Sequence, residues 1–287
     1  MGVCEHDPQP RPIVICPRRD GSRADGLARR TPVKQLLKLL FGFNAASIIH
    51  LIRLDPVGFR RSCARAFASA RSTERSDSVQ IPEIQLGDVL GARRPLIRLS
   101  VMRPEDGMLP SDQAMALISI LVAEAPSEVL EIGTYMGHTT RQMAENLERA
   151  TIHTVDLPPS FSAARDPEQN LPKDDFHLIA SRVVGREFRG QPCADHIRQH
   201  LADTAGWDFR DAGHPTFFFI DGSHTYAYCK NDSEKCFELC GGRGVFLWHD
   251  CDQFHPGVVR LLTEWRSQGR DIRRISQTPL AYWKSFS

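Results

Sequence analysis

The sequence predicts an α/β protein built around a doubly wound, mostly parallel β-sheet with helices on both faces. Three observations support this fold class. From residue 111 onwards, short apolar segments alternate with segments of helical period. Several apolar segments, such as residues 216–220, show no polar alternation, which is typical of strands covered on both faces. Regular strand–helix alternation, with glycine-containing turns between the elements, implies parallel strands joined by crossover helices.

The predicted elements follow one another along residues 111–283. A helix is expected over 111–125, with Ser111 as its N-cap, because its apolar residues recur at helical spacing. The remaining elements are, in order, a strand at 128–132, a helix at 138–149, strands at 151–155, near 201 and at 216–220, a helix at 225–240, a strand at 244–248, a helix at 257–268 and two closing strands within 272–283. Ligands of such sheets bind at the carboxyl ends of the strands, so the residues after each strand are the candidate site.

The first hundred residues differ in composition from the rest. Residues 1–30 combine prolines with scattered charges and no apolar period, so we expect a mobile arm. Residues 31–100 are expected to form a helical extension and linker, whose apolar part packs on the main domain or forms a homo-oligomer contact. Its longest uncharged run, 39–52, is too short to span a bilayer, although an interfacial membrane helix is an alternative. The main domain is then 101–287, with a lid-like insertion at 157–195.

Charge and cysteine content exclude some classes of function. The chain has 36 Lys and Arg residues against 35 Asp and Glu residues, a net charge of +1, whereas a dedicated nucleic-acid-binding protein would usually be far more basic. Eight cysteines are present without a Cys-x-x-Cys pair or an N-terminal secretory segment. We therefore expect reduced thiols and a cytoplasmic protein that binds no nucleic acid.

The first strand is followed by a turn that is unusual for a nucleotide-binding loop. The sequence there is Glu131-Ile-Gly133-Thr-Tyr135-Met-Gly137. A dinucleotide site needs glycine where Tyr135 stands, and no Gly-Lys-Ser/Thr follows for a triphosphate. An acid beside the turn suits a cationic or hydroxyl-bearing ligand instead. Asp156 ends the second strand, where a carboxylate can accept two hydrogen bonds from ribose hydroxyls.

At these residues the chain resembles the class I S-adenosylmethionine-dependent methyltransferases over about 105–284, and more closely a bacterial subgroup of small-molecule O-methyltransferases. That subgroup has Asp-Gly-Ser-His after the fourth strand and Trp-His-Asp after the fifth, as this sequence does at 221–224 and 248–250. The resemblance implies a Rossmann-like, seven-stranded sheet, with Val184-Gly-x-x-Phe188 in a segment that covers the ligands. For Asp203, an ordinary loop or cap aspartate is the alternative to a place near the adenine. The cofactor-binding residues implied are Glu131, Gly133, Thr134, Tyr135, Gly137, Asp156 and Asp203.

Two further acids follow neighbouring strands, Asp221 after residues 216–220 and Asp250 after residues 244–248. Strand ends about 4.8 Å apart bring both carboxylates into one crevice, where they repel unless a proton or a cation lies between them. Asp221 and Asp250, together with His249 or His224, are therefore predicted to bind a divalent cation. Carboxylates favour Mg²⁺, whereas a histidine ligand favours Mn²⁺, Fe²⁺ or Zn²⁺. Metal-dependent relatives of the catechol type have Asp-Asn where this chain has His249-Asp250, so a metal-free centre is the alternative.

Methyl transfer to a hydroxyl needs a group that removes the hydroxyl proton, and histidine titrates in the right range. His224 is the first candidate for this base, and His249 is the second, with Asp221 beside them; His255 is an expected substrate contact. The sequence thus predicts transfer of a methyl group from S-adenosylmethionine to a hydroxyl oxygen of a small molecule or sugar. Methylation of RNA or protein, or a metal-dependent hydroxylase of the same fold, are the alternatives. Near-neutral charge and the absence of Asn-Pro-Pro-Tyr after the fourth strand disfavour a macromolecular acceptor.

Overall fold

The computed structural model describes residues 81–100, 108–161 and 182–285. The predictions for the arm at 1–30, for the apolar segment at 33–54 and for the middle of the insertion at 157–195 lie outside these residues. Among the helices that the structure describes, none combines the length and the apolar character needed to cross a membrane.

The described residues form one eight-stranded sheet, which is parallel apart from one strand. Its order is β1-β7-β8-β6-β5-β2-β3-β4, and β8 runs antiparallel to both of its neighbours. The fold class predicted from the sequence is confirmed, with one edge strand more than predicted. The strands are β1 (Glu83–Ile84), β2 (Glu128–Ile132), β3 (Thr151–Asp156), β4 (Ile197–Leu201), β5 (Phe217–Ile220), β6 (Val245–Trp248), β7 (Arg273–Ile275) and β8 (Ala281–Lys284).

Four of the five α-helices in the described residues lie at or close to the predicted positions, and the fifth, Leu86–Leu90, was not predicted individually. Ser111 is the first residue of its helix rather than the N-cap, which is Pro110 and makes no side-chain cap. The helix after β2 ends at Asn146, three residues earlier than expected. The helices are α1 (Leu86–Leu90), α2 (Ser111–Glu124), α3 (His138–Asn146), α4 (Tyr226–Leu239) and α5 (Pro256–Ser267).

Helices cover both faces of the sheet, so each strand contributes alternate side chains to two cores. One core joins α2 and α3 to residues such as Val129 and Phe217. The other joins α4 and α5 to Leu130, Phe218 and Trp248. Alternate residues of a strand point to opposite faces, which explains why the central strands are apolar throughout.

The register of the central strands brings their carboxyl ends to one level. Ile132 of β2 pairs with Ile220 of β5, and Ile220 pairs with Trp248 of β6. The next residue of each strand therefore leaves the sheet at the same height. Gly133, Asp221 and His249 thus stand side by side at one edge of the sheet.

Candidate active site

The turn after β2 depends on glycine at its first position. Gly133 has a φ of 103°, and its N–H donates to the carbonyl oxygen of Val155 at 2.9 Å. A Cβ atom at this position would collide with the backbone carbonyl of Asp221. The absence of a side chain at Gly133 therefore allows the turn to lie close to the end of β5, independently of any ligand that the turn binds.

A second segment covers the same turn. The N–H of Gly185 donates to the carbonyl of Tyr135 and that of Glu187 donates to the carbonyl of Met136, each at 2.9 Å. A Cβ at Gly137, the N-cap residue of α3 with a φ of 89°, would lie 2.6 Å from the ring of Phe188. Residues 182–188, called the strap below, are thus fastened to the turn. The strap contains the Val184-Gly-x-x-Phe188 motif, and its role in covering the ligands stays a prediction.

Asp156 ends β3 beside the turn, as the sequence predicts, but its carboxylate already has protein partners. The backbone N–H of Tyr135 donates to Oδ2 at 2.6 Å, and the backbone N–H of Leu157 donates to Oδ1 at 2.7 Å. Nη2 of Arg182 in the strap also donates to Oδ1, at 2.6 Å. Burial raises the pKa of Asp156, and the charge of Arg182 and the two backbone donors oppose that rise.

Glu131 is fully buried below the turn. Its Oε2 accepts hydrogen bonds from the hydroxyls of Thr140 and Thr154, the latter at 2.6 Å, and Thr154 also shares a 2.7 Å hydrogen bond with Thr134. Its Oε1 has no partner in the described residues. Burial raises the pKa of Glu131 to about 8, against the effect of the two hydroxyls. The site therefore holds an acid that is ready to ionise when a cation or a donor reaches Oε1.

The Glu131 carboxyl should make the stability of the protein pH-dependent. Its pKa is about 8 when folded but near 4.5 in an unfolded chain, so the native state loses stability as the pH rises from 5 to 8. Glu131→Gln cannot ionise and keeps an acceptor for the threonine hydroxyls. We expect thermal melts to show the variant more stable than the native protein at pH 8 and nearly equal to it at pH 5. A difference independent of pH, or one matched by the exposed-site control Glu148→Gln, would contradict this expectation.

Asp203 lies after β4, and its contacts are those of a loop residue. Its Oδ1 accepts the backbone N–H of Ala205 at 3.0 Å, and the hydroxyl of Tyr228 donates to the same carboxylate at 3.2 Å. Its carbonyl accepts the N–H groups of Gly206 and Trp207. The loop role that the sequence left open is therefore present, and an additional adenine contact stays a prediction.

Asp221, His249 and Asp250 meet as predicted at the ends of β5 and β6. Nδ1 of His249 lies 3.0 Å from Oδ1 of Asp221 and 2.9 Å from Oδ2 of Asp250. Burial alone would lower the pKa of His249, but the two carboxylates raise it well above its ordinary value. Asp250 adopts a left-handed backbone conformation, with a φ of 57°, which turns its carboxylate back into the crevice.

Gln113 of α2, which the sequence gave no reason to select, completes the surroundings of His249. Its Oε1 lies 2.8 Å from Nε2 of His249. An amide oxygen only accepts, so Nε2 carries a hydrogen and a neutral ring presents the lone pair of Nδ1 to two carboxylates. That arrangement is repulsive unless the ring is protonated or a cation lies at Nδ1. The donor set of two carboxylates and one oriented imidazole therefore fits a divalent cation.

His224 and His255 surround the same carboxylate from the other side. Nε2 of His224 lies 2.6 Å from Oδ2 of Asp250, and Nδ1 of His255 lies 3.4 Å from Oδ1. The two imidazole rings pack together, with centroids 4.4 Å apart. Burial would raise the pKa of Asp250, but the hydrogen bonds and charges of His224 and His249 lower it far below its ordinary value. Asp250 is thus an ionised carboxylate shared by three histidines.

Two groups of three side chains in the described residues have donor atoms close enough to bind one metal ion. They are Asp221, His249 and Asp250, as predicted, and His224, Asp250 and His255, of which His255 was not predicted as a ligand. The only sequence signal for His255 was its position before a proline that begins a helix at the same sheet edge. Because both groups use Asp250, its carboxylate is central to the chemistry of the crevice.

Comparison with known proteins gives one family match. Residues 130–251 match the family model described as a methyltransferase domain. A search of curated proteins found no match.

Several solved structures resemble the chain at low identity. They include a methyltransferase from Podospora anserina bound to S-adenosylhomocysteine (16% identity, 76% of this chain and 96% of that chain, TM-score 0.43). An O-methyltransferase from Streptomyces achromogenes bound to S-adenosylmethionine has 14% identity, covers 73% and 93%, and has a TM-score of 0.44. An O-methyltransferase from Bacillus cereus has 14% identity, covers 75% and 97%, and has a TM-score of 0.44.

Proposed function

We propose that this chain, whose residues 130–251 match a family model described as a methyltransferase domain, transfers a methyl group from S-adenosylmethionine to a hydroxyl oxygen of a small molecule. One observation carries the proposal. The turn with Glu131 and Asp156, which suits a hydroxyl-bearing cationic ligand, opens at the same sheet edge as the cluster of Asp221, His224 and Asp250. A cofactor bound at the turn would therefore place its methyl group close to a base that can remove the proton of the acceptor hydroxyl.

Two acids would recognise the cofactor. Asp156 would accept hydrogen bonds from the ribose hydroxyls, because it stands at the end of the second strand of the parallel sheet. Glu131 would face the cationic methionine end, where ionisation of its buried carboxyl becomes favourable. S-adenosylmethionine supplies a methyl group on a positively charged sulfur. The backbone at Gly133, Thr134, Tyr135 and Gly137 would line the binding site between these acids.

His224 would remove the proton of the acceptor hydroxyl. Its Nε2 lies 2.6 Å from the carboxylate of Asp250, which fixes the ring and stabilises the imidazolium that forms. With Nε2 held by Asp250, the proton would be accepted at Nδ1. Asp250 is ionised throughout, since its pKa is held low. Positioning of the hydroxyl by the crevice would contribute much of the remaining acceleration.

A divalent cation would be held by Asp221, His249 and Asp250, with His249 oriented by Gln113. When bound there, it would supply a Lewis acid for the oxygens of the acceptor. The mixed oxygen and nitrogen donors favour Mn²⁺, Fe²⁺ or Zn²⁺ over Mg²⁺. His249 would then serve as a ligand, and His224 would be the base.

We also propose a cytoplasmic location and a small-molecule acceptor. The five described cysteines are free thiols, as expected in a reducing compartment. The near-neutral net charge of +1 offers no general attraction for nucleic acid. An oligomer contact through residues 33–54 stays a prediction from the sequence.

Calorimetric titration with S-adenosylhomocysteine tests the cofactor proposal. We expect micromolar binding by the native protein and at least about a tenfold loss for Asp156→Ala, since a charged hydrogen-bond acceptor contributes about 1.5–3 kcal/mol. Asp195→Ala, an exposed aspartate outside the site, is the matched control. Absence of binding by the folded native protein would refute the proposal. Equal affinity of Asp156→Ala and native protein would remove the ribose role of Asp156. Repeating the titration with Mn²⁺ and Mg²⁺ shows whether a cation contributes.

A further inference from the structure

Arg182 binds the carboxylate of Asp156, which is the group proposed to bind the ribose of the cofactor. Its Nη2 donates to Oδ1 of Asp156 at 2.6 Å and also reaches the carbonyl of Leu157 at 3.2 Å. The side chains of Arg182 and Asp156 are only 6% and 12% exposed, so this ion pair is largely shielded from water. A shielded ion pair resists competition by a ligand far more than a solvated pair would.

Three of the roughly four hydrogen-bond acceptor positions of the Asp156 carboxylate are already occupied. A carboxylate offers about two hydrogen-bond acceptor positions on each oxygen. Oδ1 accepts from Leu157 and Arg182, and Oδ2 accepts from Tyr135. A ribose diol that binds through both hydroxyls requires one position on each oxygen. Only Arg182 among the three donors is a side chain, so it alone can withdraw without changing the fold of the turn.

The contact is also incompletely satisfied on the side of the arginine. Nε of Arg182 is buried and has no hydrogen-bond partner in the described residues. A buried donor without a partner is energetically costly, which makes this position of the guanidinium easier to leave. The strap itself is held independently of Arg182, through the backbone bonds of Gly185 and Glu187 to the turn.

We propose that Arg182 is an affinity-determining residue that competes with the ribose hydroxyls of the cofactor for Asp156. The proposal rests on the proposed function, in which Asp156 binds the ribose. Arg182 closes the site when no cofactor is bound, and the diol must displace it to reach Oδ1. Its removal therefore strengthens the binding of any ligand that carries the diol. Ligands without the diol gain nothing, because they do not compete for Asp156.

The test is the affinity of Arg182→Ala for S-adenosylhomocysteine, measured by calorimetry at pH 8. We expect affinity to rise at least about fivefold, the lower end of ordinary coupling between sites. Arg182→Gln is a second variant in case the alanine protein does not fold. Arg189→Ala is the matched control, since Arg189 belongs to the same region and donates to Val184 rather than to Asp156.

Two further measurements separate competition from a general loosening of the strap. Adenosine should bind Arg182→Ala more tightly than the native protein, whereas 2′,3′-dideoxyadenosine should not. In an Asp156→Ala background, Arg182→Ala should give no gain, because the shared carboxylate is gone.

The outcomes distinguish this proposal from the proposed function. If the native protein binds S-adenosylhomocysteine and Arg182→Ala binds it equally or more weakly, Arg182 does not compete and only this proposal is overturned. If dideoxyadenosine gains as much as adenosine, the diol is not the competitor, which also overturns it. If neither protein binds S-adenosylhomocysteine or adenosine, the proposed function is refuted, and the proposal for Arg182, which rests on it, is refuted as well. Binding by the variant alone supports both.

Discussion

Replacing His224 with alanine should lower methyl transfer by about 10²- to 10⁴-fold, the range that a general base contributes. The reason is the 2.6 Å contact between Nε2 of His224 and Asp250, which holds the ring toward the crevice and stabilises its protonated form. The affinity for S-adenosylhomocysteine should change by less than about twofold, because His224 lies outside the turn that binds the cofactor. Turnover is measured with labelled S-adenosylmethionine and an acceptor found by screening hydroxylated small molecules.

The control for His224 is His214→Ala, an exposed histidine near the opposite end of β5. It should leave both turnover and affinity unchanged. A His224→Ala protein with native turnover would remove His224 as the base and transfer that role to His249. Equal losses of turnover and cofactor affinity would mean that His224 shapes the binding site instead.

Replacing Gly133 with alanine should destabilise the whole domain. The residue combines a φ of 103° with a Cβ position that overlaps the carbonyl group of Asp221, and both residues directly follow central strands of the sheet. Backbone strain and overpacking of about 1–3 kcal/mol each give a loss of about 4 kcal/mol together. That loss corresponds to a fall in Tm of about 8–16 °C for a domain of this size. A thermal melt followed by circular dichroism measures it.

Gly87→Ala provides the matched comparison for Gly133. Gly87 lies in α1, has no atom within 4 Å of a Cβ position and does not need a positive φ. Alanine there should leave the Tm unchanged or raise it slightly, because alanine favours helix. If Gly133→Ala melted within 2 °C of the native protein, the turn would have to relax without cost, and its rigid approach to β5 would be disproved.

The sequence alone determined the order of the elements and the acids at the strand ends. These depend on local patterns: unbroken apolar runs mark buried strands, and the residue after each run must lie at the carboxyl edge. Asp221 and Asp250 could therefore be predicted as neighbours in one crevice, and Asp156 as an acid at the same edge of the sheet. The two-residue strand β1 was missed because so short a segment has no period.

Only the tertiary structure decided which side chains complete the site. Gln113 contacts His249 across 136 positions of the chain, and Arg182 reaches Asp156 across 26, without any local pattern that links them. The packing of strands and helices determines these contacts. That packing depends on many residues together, so no short segment of the sequence predicts it. Gly133 is a further example. A glycine directly after a buried strand predicts a turn, but only the position of the neighbouring strand shows that a side chain here would overlap the backbone of Asp221.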